Sequence, residues 1–249
     1  MKFNFAVVVP MANESDSFDS FTGALINVLD RLECGRVYMV VDKVSKDNTL
    51  DLTQNLAATD NRFVSVWAPE NKNVVDAYYA GYRSAINDGC EIIIEMDAGL
   101  SHDPRAIPMF LRVLNEGNEC AFGSRFINGG SIYDSTWKRT FLSRFGTILS
   151  NLLLGTRMYD MTSGYQGFHA EIVQKFLEYP LLSRAHFYQT ELRYLLRNTR
   201  FAEIPIHYRA PSPSVSKKAI INSFEVLFHY FFKRLAFRSV EIKSPQINL

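Results

Sequence analysis

Cysteine is scarce in this chain, and the three present (Cys34, Cys90 and Cys120) are widely spaced and odd in number. They make neither a metal motif nor a disulfide framework, which points to a reducing, cytoplasmic setting. An excess of charge is missing as well. Lys+Arg 27 against Asp+Glu 26 leaves a net charge of +1, so there is no global basic field and no nucleic-acid partner is expected. No apolar run reaches the roughly 18 residues of a membrane span. The apolar part of MKFNFAVVVP is too short for a signal peptide, and no small-residue cleavage site follows it. The five histidines have no metal-ligand spacing. Gly-rich phosphate motifs are absent too. No G-x-G-x-x-G follows the first apolar run and no G-x-x-x-x-G-K-[ST] occurs, which argues against a nicotinamide dinucleotide site and a P-loop. The lack of G-x-S-x-G argues against a hydrolase nucleophile elbow.

What is present is ordinary globular composition: 249 residues, 47% apolar and 21% charged, enough for one α/β domain with a substantial core. The first half alternates β-rich runs with helical patterns. Strands are expected at Phe3 to Val9 (stopping at Pro10), Arg36 to Val41, Phe63 to Trp67, Glu91 to Met96 and Cys120 to Gly123. Helices are expected at about 18 to 33, 47 to 58, 74 to 88 and 104 to 116. Near-continuous apolar strands separated by helices predict a mostly parallel sheet covered on both faces. In the second half, helices are expected at Trp137 to Leu154, 170 to 178 and 187 to 198. A Gly-containing loop is expected at 160 to 168, a late strand at Arg200 to His207, a turn region at Pro211 to Ser214 and a final helix at 218 to 238. Parallel sheets bind ligands beyond the carboxyl ends of their strands. Asn13 and Glu14, Asp42 and Asp97 stand at three such ends. An isolated Asp there ordinarily does no more than end a strand, whereas several on one edge favour a site.

Six segments carry more: VVVPMANE, VVDKVSKDNT, EMDAGLSHDP, FGSRF, DMTSGYQGF and FYQTE. In this order and spacing they resemble the family 2 glycosyltransferases of GT-A fold, in particular the dolichol- and polyprenyl-phosphate sugar synthases. The likeness runs from about residue 5 to 235. It implies a GT-A catalytic domain over 1–212, followed by a C-terminal amphipathic helix and tail over 213–249. It also implies a nucleotide-diphosphate sugar donor and inversion at the anomeric carbon. By position, Pro10, Ala12 and Glu14 would line the nucleoside pocket and Asp42 would face the base. Asp97 and Ala98 stand where the family's D-x-D motif begins, whose carboxylates hold Mg²⁺ or Mn²⁺ against the leaving diphosphate. Gly99 replaces the second carboxylate and Lys43 replaces the second Asp of the usual VVDD. The metal is then held by Asp97 with diphosphate and water, or Glu95, His102 or Asp103 substitutes, or cations neutralise the diphosphate without metal. Glu95 should point to the opposite face if the strand continues.

On the acceptor side the resemblance assigns Arg125, Arg139 and Ser143 to the phosphate of a polyprenyl carrier. Arg139 and Ser143 are four apart and share one helix face, and guanidinium and hydroxyl suit a phosphate. The plainer alternative is a solvated face with Lys138 and Arg144. A phosphate acceptor needs no strong base, while a sugar hydroxyl does, and then Asp160 or Glu191 is the candidate. Thr162, Ser163 and Gly164, with Gln189 and Glu191, border the donor sugar by resemblance. Gln166 stands where the family often has Arg, which bears on sugar choice. In the final helix Ile220, Ile221, Phe224, Leu227, Phe228, Phe231 and Leu235 form one stripe. That stripe either closes the core or lies in a lipid interface.

The expectation is hexose transfer from a nucleotide-diphosphate sugar to a polyprenyl phosphate, at the cytoplasmic face of the cell membrane, with only peripheral contact to the membrane surface. The rivals are transfer to a glycan hydroxyl and a catalytically silent nucleotide-sugar binding protein.

Overall fold

The computed structural model describes residues 4–209 and 217–244. The expected turn at Pro211 to Ser214 therefore lies outside the described residues. The strands are β1 (Phe5–Met11), β2 (Gly35–Val41), β3 (Phe63–Trp67), β4 (Ile92–Glu95), β5 (Cys120–Ser124), β6 (Ser131–Tyr133), β7 (Gln166–His169), β8 (Phe201–Pro205) and β9 (His207–Arg209). The helices are α1 (Phe18–Leu29), α2 (Thr49–Thr59), α3 (Val74–Asn87), α4 (Ile107–Asn115), α5 (Trp137–Leu154), α6 (Ala170–Leu177), α7 (Tyr188–Leu195) and α8 (Lys217–Leu235). Seven strands form one sheet in the order β3-β2-β1-β4-β7-β5-β8, and β6 pairs with β9 in a small separate ribbon. Pairing is parallel from β3 to β4 and between β5 and β8.

The apolar strands are continuous because both sheet faces are covered. Ala6 and Val8 of β1 join Tyr38 and Val40 in a core shared with α3, α6 and α7. Val7 and Val9 join Val37 and Met39 in a core shared with α1 and α4. Gly81 lets α3 cross β1 closely, since a Cβ there would meet Val8 Cγ1 at 2.3 Å.

Two strand expectations need correction. β1 does not stop at Pro10 but runs to Met11. Val8 C=O accepts from Met96 N–H on the β4 side. Pro10, two residues on, turns its nitrogen to that same side, where β4 has ended, so the missing N–H costs no ladder bond. The second correction is β7, inside the segment expected to be a loop. It inserts antiparallel between β4 and β5. Four residues, one of them Gly167 packed beneath Phe110, carry too little alternation to register as a strand.

In the final helix the expected apolar stripe does not close the core. Val226, Leu227 and Tyr230 face the core, whereas Ile220, Ile221, Phe224, Phe228 and Leu235 are exposed. Of the expected apolar stripe, only Leu227 is fully buried.

Candidate active site

The registers Met11↔Val41 and Val8↔Glu95 bring the ends of β1, β2 and β4 to one edge. The loops beyond β1 and β2 are stitched together there. Asn13 N–H donates to Ser45 Oγ at 3.0 Å and Glu14 N–H to Thr49 Oγ1 at 2.9 Å. Ser15 N–H donates to Asp47 Oδ2 at 2.9 Å, and hydrogen bonds from Thr49 and Ser15 hold the Asp47 carboxyl below its ordinary range. Pro10, Ala12, Glu14 and Asp42 are thereby gathered on one rim, with Ala12 exposed and the other three half-buried.

Asp97 follows β4 at the same edge. Its Oδ1 accepts from Tyr78 OH at 3.0 Å, and its side chain is 35% exposed. Its N–H donates to His102 Nδ1 at 3.0 Å. That nitrogen is therefore the acceptor, and the ring proton sits on Nε2. Burial depresses the His102 pKa, so the imidazole is neutral and its 3.8 Å approach to Asp97 Oδ2 is not an ion pair. His102 is also stacked on Tyr165 at 4.9 Å. Asp103 is engaged by Arg105 through bonds of 2.6 to 3.0 Å. Neither residue is open to replace the missing metal ligand. Glu95 points away, as strand alternation predicts, into a buried contact with the Tyr82 hydroxyl and Gln166 Nε2.

Gly99 has φ +69, and a Cβ there would stand 3.1 Å from Glu14 Oε2. The Glu14 carboxylate thus lies against the residue that replaces the usual Asp. Burial raises its pKa, with the charges of Asp47 and Asp97 adding to the rise, and Ser17 OH donates to it at 2.6 Å. Among the described residues no three carboxylate, imidazole or thiol groups form a metal cluster. The donor set fits a hard cation such as Mg²⁺ or Mn²⁺ held by Asp97, with Glu14 alongside, and otherwise by diphosphate and water.

The other wall of the site is the 160–165 loop with α5. Burial would raise the Asp160 pKa, but the Arg125 charge and hydrogen bonds outweigh it and hold it at about 2. Asp160 accepts from Arg125 Nε at 2.7 Å and Nη2 at 2.9 Å, and Arg125 Nη2 also reaches Thr162 Oγ1 at 2.5 Å. Asp160 is therefore no general base, and two nitrogens of Arg125 are spent on the loop rather than offered to a phosphate. Arg193, which the sequence reading missed, is wholly buried. It donates to the carbonyls of Asp160, Gly123 and Ser163 and lies over Phe122 at 4.7 Å. A lone cation on the otherwise apolar face of FYQTELRYLL was the available signal.

Ser163 is buried, and Ala98 nearly so. Gln189 packs under the loop, since a Cβ on Gly164 would come within 2.0 Å of its Nε2. Glu191 accepts from Leu182 N–H, Ser183 N–H and Tyr230 OH at 2.6 to 2.9 Å. Both side chains are buried, and Glu191 is no free base: it ties α7 to α8. Gln166, expected to bear on sugar choice, is buried against Glu95 instead.

On α5, Arg139, Ser143 and Thr147 succeed one another at four-residue spacing on the inward face. Thr147 Oγ1 accepts from Met161 N–H at 3.1 Å. Arg139 Nη2 donates to Tyr208 OH at 3.3 Å. Tyr208 of β9 was also missed, and its ring lies under Arg125 at 5.4 Å. Burial raises its pKa, Asp97 adds to the rise, and Arg139 and Arg125 oppose it. Arg139 and Ser143 are half-buried while Lys138 and Arg144 are exposed, so the basic face is split rather than uniformly solvated.

Glu95 gives a pH test of this core. Burial pushes its pKa from 4.5 up to about 8. The folded chain keeps a proton that the unfolded chain releases, so stability is full below pH 4.5 and declines as pH rises to about 8. The slope is at most about 1.4 kcal/mol per pH unit. Urea midpoints measured across this window should fall with pH in the native chain, and Glu95→Gln should flatten the decline.

Residues 6–177 match the family described as glycosyl transferase family 2. The chain is 30% identical over 226 residues to the polyprenol monophosphomannose synthase of Mycolicibacterium smegmatis, covering 89% of this chain and 83% of that protein. It is 26% identical over 203 residues to the undecaprenyl-phosphate mannosyltransferase of Micrococcus luteus, covering 81% and 82%. Among solved structures it resembles glucosyl-3-phosphoglycerate synthase of Mycobacterium tuberculosis in complex with Mn²⁺, UDP and glucosyl-3-phosphoglycerate. There the TM-score is 0.62 at 13% identity, over 97% of this chain and 82% of that one, a likeness of fold alone. With a GT-A fold, a site on the carboxyl edge of its sheet and a family match over most of its length, the chain is a glycosyltransferase and belongs to glycosyl transferase family 2.

Proposed function

We propose that the enzyme transfers a hexose, mannose by analogy with its relatives, from a nucleotide-diphosphate sugar to a polyprenyl phosphate at the cytoplasmic membrane face. The observation that carries this reading is that both candidate bases are spent. Asp160 is locked to Arg125, and Glu191 is locked to Tyr230 and the 182–183 backbone. A hydroxyl acceptor needs a base. A phosphate acceptor is already anionic, and the half-buried Arg139 and Ser143 suit it.

In this reading a phosphate oxygen attacks the anomeric carbon, the bond to the diphosphate breaks, and the configuration inverts. Pro10, Ala12, Glu14 and Asp42 hold the nucleoside, while Ala98 and Ser163 shape the floor beneath the donor. Asp97 orients the diphosphate. A divalent ion at Asp97, Mg²⁺ or Mn²⁺, would neutralise charge on the departing diphosphate. Arg139 and Ser143 hold the acceptor phosphate, and Arg125 keeps the loop in place through Asp160.

The test is nucleotide diphosphate release from UDP- and GDP-sugars, with and without a short polyprenyl phosphate, and with Mg²⁺ or Mn²⁺ against chelator. Release should require the lipid phosphate. Arg139→Ala should raise KM for the lipid about 10- to 100-fold, since a charge-assisted phosphate contact contributes roughly 1.5–3 kcal/mol. Donor binding without release, across all metals and lipid phosphates, would reject the reading and leave a glycan acceptor or a silent binding role.

A further inference from the structure

Strand β9 holds the loop that follows Asp97. His102 forms an antiparallel bridge with Tyr208, and Arg209 N–H donates to Ser101 C=O at 2.9 Å. On its other side β9 runs parallel to β6, with Tyr208 opposite Ile132. The backbone of Tyr208 is thus fixed between two neighbours, and its ring is fixed as well. The ring centre lies 5.4 Å from that of His102, and the Arg125 guanidinium sits over it at 5.4 Å. His102 stacks in turn on Tyr165, and Tyr165 on Phe110, while Arg125 is locked to Asp160. Both clamps therefore lead into buried, packed structure.

A ring so held gives its hydroxyl a fixed place, and Arg139 Nη2 donates to that oxygen at 3.3 Å. Arg139 stands in the first turn of α5, half-buried, on a long stem with many rotamers. Ordering such a side chain costs free energy when a ligand binds, and a partner that holds it beforehand lowers that cost. The same tyrosine ring packs on His102, whose Nδ1 accepts from Asp97 N–H. Tyr208 thus packs on a residue bonded to Asp97 and bonds the arginine assigned to the acceptor phosphate.

We infer that Tyr208 is a positioning residue. Its hydroxyl holds the Arg139 guanidinium ready for the acceptor phosphate, at a fixed place relative to the Asp97 loop. The inference deepens the lipid-phosphate reading of Arg139 and rests on it.

The experiment is steady-state kinetics of Tyr208→Phe, Arg139→Ala and the double variant, with a short polyprenyl phosphate as the varied substrate. Phenylalanine removes the hydroxyl and keeps the ring between His102 and Arg125, so the melting temperature should stay within a few degrees of native. KM for the lipid phosphate should rise about 3- to 10-fold in Tyr208→Phe, the worth of one ordinary hydrogen bond. Both kcat and KM for the nucleotide sugar should stay within about twofold. In the Arg139→Ala background the same substitution should change KM by less than about twofold, because the hydroxyl acts through Arg139. A merely structural role would lower kcat and stability together and would persist without Arg139. The inference is overturned, with the acceptor reading left standing, if Arg139→Ala raises KM for the lipid while Tyr208→Phe leaves it native. It is also overturned if Tyr208→Phe costs as much without Arg139 as with it, since the hydroxyl then acts on its own. If neither single variant alters KM for the lipid, the inference and the acceptor reading of Arg139 fall together.

Discussion

Asp97→Asn should lower kcat/KM for sugar transfer by roughly 10²- to 10³-fold, the usual cost of removing one charge-stabilising group from a site. The substitution is chosen to separate chemistry from folding. Asparagine keeps an Oδ1 that can accept from Tyr78 OH, now at 3.0 Å, and keeps the backbone N–H that donates to His102. What it loses is the negative charge on the partly exposed side of the group, where the diphosphate and any divalent ion would lie. Gly99 leaves no second Asp to compensate, and Glu14, already bonded by Ser17 and raised in pKa by burial, is a weaker substitute. Kinetics with varied Mg²⁺ or Mn²⁺, beside thermal melts, check this. The variant should melt within a few degrees of the native chain while losing the response to metal. A kcat/KM within twofold of native would remove Asp97 from the donor site.

The second large effect is on stability. Asp160→Asn should destabilise the fold by about 3–5 kcal/mol, the cost of stranding one member of a buried ion pair. Asp160 is 0% and Arg125 6% exposed at the side chain, and Arg193 lies on the same carboxylate's backbone. Removing the charge leaves two buried guanidinium groups near one another, with Arg125 stripped of the carboxylate it is hydrogen-bonded to and with the more distant Glu203 still acting on Arg193. The double substitution Arg125→Met/Asp160→Leu should recover much of the loss, because an apolar pair of similar volume avoids the desolvation cost. Urea midpoints for the native chain, the single variant and the double variant give the coupling. A loss under about 1 kcal/mol for Asp160→Asn would mean that the pair is solvated. The same shift adds an acid limit: stability from this carboxylate is present above its unfolded pKa of 3.8 and is lost as pH falls through about 2.

Much of the candidate site's sheet edge is legible in the sequence. Strands β1 to β4 are runs of Val, Ile and Met ended by polar residues, and Glu14, Asp42 and Asp97 do share one edge because parallel register aligns the strand ends. The opposite wall, the 160–165 loop with α5, was legible only in part. That Arg139 and Ser143 share one helix face follows from helical spacing, whereas their expected link to an acceptor phosphate came from the family resemblance. The fate of Arg125 did not, because Asp160 lies 35 residues away and no local pattern announces that pairing. Tyr208 and Arg193 were invisible for the same reason: each matters through partners far along the chain. Gln189 and Glu191 carry the family's motif, yet here their amide and carboxylate are consumed by packing and backbone capping.

By itself the sequence determined the class of fold, the positions of four parallel strands, the α5 boundaries and the family. These follow from periodicity and motif order, which are local properties. Tertiary structure alone decided that a four-residue strand, β7, joins the two halves of the sheet, since its partners β4 and β5 come from other parts of the chain. It also decided which carboxylates remain available for chemistry, because that depends on the cations and N–H groups the fold brings to them. Finally, it decided which way the apolar row of α8 faces. Periodicity shows that a helix has an apolar side, but only the packing of its neighbours settles whether that side meets the core or is left exposed.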